Sequence, residues 1–167
     1  MQLDDNINRL VAVRDNLAGV DIMNKHNRMA CIMDVLVGVA LSTNGRMVGA
    51  QLKSVIFNQA QVSRPGFPYS CFIEKVGEGR EHWYGPFEDD ITHAFQYGTR
   101  ADNATALVAP MVRYGKESKS KSGMRSKYNH ERAVQLQRIF PESAKLTINN
   151  TKSNGCLLYT SPSPRDS

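Results

Sequence analysis

The apolar residues of this chain of 167 residues fall in short runs separated by Gly, Pro and Asn, and that spacing limits what it can build. The most hydrophobic stretch, Val35 to Leu41, is short and carries Gly38. A membrane-crossing helix needs about 20 apolar residues in a row, so no span is predicted. Asp4 and Asp5 with no basic segment before them do not read as a signal peptide. Short runs in a chain of this size predict one domain, or one small domain with extensions, with enough residues to close a core. Cys31 and Cys71 form no CxxC pair and no disulfide framework. A reducing cytoplasm is therefore the expected setting.

Periodicity predicts mostly helices. Asp4-Asp5-Asn6 can cap a helix with Ile7, Leu10, Val11, Val13, Leu17 and Val20 on its apolar face. Met29, Ile32, Met33, Leu36, Val37, Ala40 and Leu41 repeat the helical spacing, and Ser42-Thr43-Asn44-Gly45 stops them. Two readings compete for 35–52. Asn44-Gly45 can turn a hairpin, or it can end one helix before an extended Arg46-Met47-Val48 and a new helix on Leu52, Val55, Ile56 and Gln59. The spacing of those four residues favours the helix. Ser63 to Pro68 is a loop by composition. Tyr69, Phe72, Ile73 and Val76 predict a short helix, and Arg80 to Tyr84 a strand carrying Trp83. Glu88-Asp89-Asp90 opens a helix that ends at Gly98. Thr105 to Val112 is at best an edge strand, because Pro110 interrupts it. Gly115 to Lys127 reads as a flexible linker, followed by a helix from Asn129 to Phe140 that stops before Pro141.

Helix, Gly, short strand, helix, Pro/Gly loop, helix, turn and strand, in that order, is the order of a winged-helix module. Gly45-Arg46-Met47-Val48 before Gln51-Leu52-Lys53, and Phe67-Pro68-Tyr69 before Phe72-Ile73, resemble the LOTUS group of winged-helix domains. Ser70 stands where that family usually has glycine. The resemblance covers about a third of the chain and implies nucleic-acid or protein binding without catalysis. At the other end, Cys156 to Asp166 is similar to the in-frame translation of a transposase adapter used in sequencing libraries. That implies a foreign tail at 156–167 and missing native residues after Gly155. The expected class is thus α+β, mostly helical, with a winged-helix-like core, a short wing strand and a truncated C-terminus. Its parts would be an N-terminal helix (1–28), the winged-helix-like domain (29–114), a basic linker (115–127), an incomplete C-terminal helix (128–155) and the tail.

Charge supplies the clearest functional hint. The net charge is +5. Arg113 to Arg132 holds seven basic and two acidic residues, and the remainder balances. Lys116, Lys119, Lys121, Arg125 and Lys127 are spaced among Ser and Gly, which suits an arm neutralising phosphates. Tyr114 and Tyr128 flank it and can stack on bases. A solvated loop that keeps the protein soluble has the same composition. Gly115-Lys116-Glu117-Ser118 lacks the glycine and hydroxyl of a phosphate loop.

The four histidines and the cysteines match no zinc spacing, so no metal or cofactor is expected. Cys71 with His82 has the residue types of a thiol nucleophile and base, although a buried structural cysteine is the plainer reading. Trp83-Tyr84-Gly85-Pro86-Phe87 can anchor a partner or pack a strand end. The expected function is non-catalytic binding of DNA or RNA through the arm and a wing surface near Arg80. An oligomeric structural or interaction protein of phage or mobile-element origin, associating through the N-terminal helix, is the alternative.

Overall fold

A computed structural model describes residues 2–3, 7–13, 19–21, 28–52, 62–83, 89–98, 103–116, 128–141, 144–149 and 156–160. In chain order the elements are β1 (Gln2–Leu3), β2 (Ile7–Val13), β3 (Gly19–Asp21), α1 (Arg28–Ser42), β4 (Met47–Leu52), β5 (Arg64–Pro65), β6 (Cys71–Glu74), α2 (Asp89–Gln96) and β7 (Ala106–Lys116). Then come α3 (Asn129–Ile139), β8 (Lys145–Asn149) and β9 (Cys156–Thr160). Strands β1-β6-β4-β7-β2-β3 lie side by side in that order, and β5 also pairs with β7. The β4–β7 pair is parallel and the other pairings are antiparallel. The sheet curls into a half-barrel.

Helix α1 forms where the periodicity predicts it and buries Ile32, Leu36, Val39 and Ala40 against the sheet. The isoleucine, leucine and valine each contribute about 1.5–3 kcal/mol relative to exposure. Thr43 ends the helix: its Oγ1 donates to Val39 O at 2.6 Å and accepts from Gly45 N at 3.1 Å. A Cβ at Gly45 would approach Val48 Cγ2 to 2.8 Å, so the turn into β4 requires glycine.

Beyond the turn, side chains alternate between two faces. Val48, Ala50, Cys71, Ile73, Leu107 and Ala109 face α1, the front. Met47, Phe72 and Ala106 face the back, where α2 packs with Ala94 and Tyr97. Helix α3 closes on α2 through Leu136, and the Phe140 and Phe95 rings stack at 5.3 Å.

This architecture corrects the mostly helical, winged-helix expectation. The residues assigned to an N-terminal helix build β2 and β3, with β2 along β7 and Leu10 and Val11 both buried. An oligomer contact assigned to that helix loses its helix. Tyr69 to Val76 contains strand β6, whose Phe72 and Ile73 point to opposite faces. Residues 80–83, the described part of the expected wing strand Arg80–Tyr84, form no strand, and the helix expected over Leu52–Gln59 begins with a residue of β4. Its remaining positions lie outside the described residues.

The supposed edge strand is β7, the longest in the sheet and paired on both sides. Its register with β4 jumps from Ala50↔Ala109 to Gln51↔Arg113, and Pro110 sits in that irregularity. A residue without an N–H removes no ladder bond there. Helices α2 and α3 match their expected spans, and Gly98 has φ +73 as the residue ending a helix often does. Among the described residues no helix is long and apolar enough to cross a membrane.

Two predictions follow from local geometry. Ser70 is buried with φ 68, a backbone region costly for a residue with a Cβ. Ser70→Ala keeps the strain, whereas Ser70→Gly relieves it. The glycine variant should therefore be more stable than the alanine variant by about 1 kcal/mol. Urea midpoints decide it, and an alanine variant equal to the glycine one would mean Ser70 is unstrained.

Strand β9 lies within the adapter-like tail and pairs only with β8, away from the main sheet. Ala144 is the last buried residue among those whose side chains are described. Deleting 156–167 should shift the melting temperature by less than about 3 °C, the scale of a surface change. A larger drop would mark the tail as part of the folded unit.

Candidate functional site

Among the described residues, a dense group of polar side chains lies on the back of the sheet, where β6 ends. Glu74 follows Phe72 by two residues and shares its face. His93 and Gln96 on α2, with Tyr97 directly after its last residue, fall at i, i+3 and i+4, one side of the helix. Glu74 Oε1 accepts from Tyr97 Oη and from His93 Nε2, both at 2.6 Å. His93 Nδ1 meets Gln96 Oε1 at 3.2 Å, and Trp83 stacks over the imidazole with ring centroids 4.0 Å apart. Tyr97 Oη accepts from Glu81 N at 3.0 Å, and Arg80 bonds Glu74 Oε2 at 3.2 Å.

Burial pushes the Glu74 carboxyl up. The hydrogen bonds from Tyr97 and His93, the charge of His93 and the Arg80 bond outweigh that and hold it below the usual 4.5. Burial, and then the bond to Glu74, push the Tyr97 phenol up to about 12.

These groups suit fastening better than catalysis. The His93 side chain is 0% exposed, and Tyr97 Oη already donates to one group and accepts from another. No proton here is presented to a substrate. The network instead ties the segment Lys75–Trp83 and α2 to the sheet, with Arg46 Nη1 donating to Glu78 O at 2.7 Å as a further tie.

The other end of the back face is basic. Leu52 and Tyr114 point into the front core, so their neighbours Gln51 and Arg113 point to the back, as cross-strand partners of β4 and β7. Leu10 faces front, which turns Arg9 and Val11 to the back opposite Gly115 and Arg113. From β5, Arg64 Nη2 donates to Gln51 Oε1 at 3.0 Å. Desolvation lowers the Arg64 pKa and Tyr69 partly opposes it. Arg113 Nε donates to Pro110 O at 3.2 Å. Arg9, Arg64 and Arg113 thus share one face around the buried Gln51. Lys116, half-buried opposite Ile7, is the last residue of β7, where the chain enters the basic segment.

Of the residues expected to bind nucleic acid, Lys116 lies beside this face. Lys119, Lys121, Arg125 and Lys127 lie outside the described residues. Arg80 is at the opposite end, bonded to Glu74, and does not join them. Arg9 and Arg64 were missed: each is a single arginine far from the basic run, and only β-pairing brings it near. Tyr114 is a core residue rather than a stacking platform.

Cys71 is fully buried in the front core, its thiol pushed up to about 11 by burial, while His82 is exposed, so they form no nucleophile–base pair. Trp83 packs between Phe72 and His93. No metal-binding cluster of His, Cys, Asp and Glu occurs among the described residues. Comparison of the chain with family models, with curated proteins and with solved structures finds no match, so function must be argued from these residues alone.

Proposed function

We propose that the protein binds nucleic acid without catalysis, through the basic segment Lys116–Lys127 and the arginine-bearing sheet face from which it departs. One observation carries this reading. Strand β7 sets Arg113 beside β2, which bears Arg9 two pairs further on, and then delivers Lys116 at the start of the segment that holds most of the excess charge. Rigid cations on a sheet and a run of cations among Ser and Gly then adjoin. The first can position a phosphate backbone and the second can follow it. Binding of this kind is tolerant of sequence and steep in salt. The test is a salt titration of the intact protein with duplex and single-stranded oligonucleotides. Binding at ~50 mM salt that falls steeply by ~200 mM is expected. A protein that ignores both ligands at the lower salt does not have this function.

A further inference from the structure

The back face holds a more specific arrangement than a charged patch. Gln51 is 5% exposed, an amide buried in the middle of a sheet. A guanidinium can only donate, so the bond from Arg64 Nη2 requires the Gln51 oxygen on that side and turns its NH₂ group the other way. The cross-strand partner of Gln51 is Arg113, whose Nε is fixed on Pro110 O. Among the described residues, neither the Gln51 amide nitrogen nor the terminal nitrogens of Arg113 have a hydrogen-bond partner. Neither is a sealed, unsatisfied donor, so both remain open to a ligand at the surface. Here the donors belong to side chains on adjacent strands about 4.8 Å apart, in the field of Arg9 and Arg64.

We propose that Gln51 and Arg113 form an oxyanion subsite for a phosphate monoester, with Arg64 as the positioning residue that orients the Gln51 amide. Phosphate offers only acceptors and matches a planar donor fork at two oxygens. A monoester adds a second charge and a third terminal oxygen. It also projects from its carrier, so it reaches a half-buried sheet face that the flanks of an internal diester would hinder. The phosphate can be the 5′ end of a nucleic acid or a small phosphorylated molecule. The subsite depends on the nucleic-acid reading only for that choice.

Calorimetry with inorganic phosphate tests the subsite, using the full chain, Arg113→Ala and Gln51→Glu. The glutamate variant keeps an acceptor for Arg64 and nearly the same volume, so it preserves the fold while replacing the donor with a negative charge. Each variant should bind phosphate at least tenfold more weakly than the parent, with melting temperatures showing both folded. No phosphate binding by the parent, or an unchanged affinity in folded Gln51→Glu, overturns the proposal. A 5′-phosphorylated oligonucleotide that outcompetes its unphosphorylated twin in the parent, but not in Gln51→Glu, supports it and assigns the phosphate to a chain end. Phosphate binding lost in Gln51→Glu, with both oligonucleotides ignored by the parent, supports the subsite and removes the nucleic-acid reading.

Discussion

Replacing Glu74 with alanine is expected to cost about 3–5 kcal/mol of folding stability, the range for breaking a buried pair from one side. The carboxylate side chain is 8% exposed and serves three side-chain donors from two parts of the chain: Tyr97, His93 and Arg80. Without it the His93 Nε2 and the Tyr97 hydroxyl stay buried under Trp83 and Phe72 with no acceptor, and each such group costs about 1–3 kcal/mol. Arg80 is the control. It is 45% exposed, and an exposed ion pair contributes about 1 kcal/mol at most, so Arg80→Ala should be nearly neutral.

Glu74→Gln keeps an acceptor and removes the charge, which isolates the pH dependence. The folded carboxyl titrates below its usual 4.5, so its charge stabilises the protein fully above that value and is lost as pH falls through the lower folded value. Urea unfolding between pH 2 and 7 should show the parent losing stability steeply below about pH 4.5, with a shallower decline in Glu74→Gln. A Glu74→Ala protein within 1 kcal/mol of the parent would mean the network holds nothing together.

The helices were legible because their signals are local. Asp89 and Asp90 mark the start of α2, Gly98 its end, and Ile32, Leu36 and Ala40 repeat at helical spacing in α1, although Val37 and Leu41, read onto the same stripe, are exposed and Val39 is buried instead. The strands were not, because several are buried on both faces. Leu10 beside Val11, and Phe72 beside Ile73, put adjacent apolar residues on opposite sides of the sheet. A short apolar run of that kind does not alternate, so its spacing fits a helix equally well. Pro110 misled for a related reason: proline is excluded from a regular ladder, and nothing in the sequence announced a register shift at that position. The basic segment was legible as composition. Its sheet-borne neighbours Arg9 and Arg64 were not, since 55 residues part them in sequence and separate strands bring both alongside β7. The Glu74–His93 pair is likewise invisible until β6 and α2 meet.

The largest effect on binding should come from the arm itself. Each cation that neutralises a phosphate releases condensed counterions, so the logarithm of affinity falls with the logarithm of salt by about 0.9 per contact on duplex DNA and about 0.7 on a single strand. Replacing Lys119, Lys121, Arg125 and Lys127 with alanine removes up to four contacts. The slope should then flatten by up to about 3.6 on a duplex and about 2.8 on a single strand. Between ~50 and ~200 mM salt, the first figure makes the variant's loss of duplex affinity about a hundredfold smaller than the parent's. Arg80→Ala should leave the slope unaltered, because Arg80 is bonded to Glu74 at the far end of the sheet. If the quadruple variant keeps the parental slope while Arg113→Ala loses affinity, the sheet face alone makes the contact. If both keep it, the excess charge serves only to keep the protein in solution.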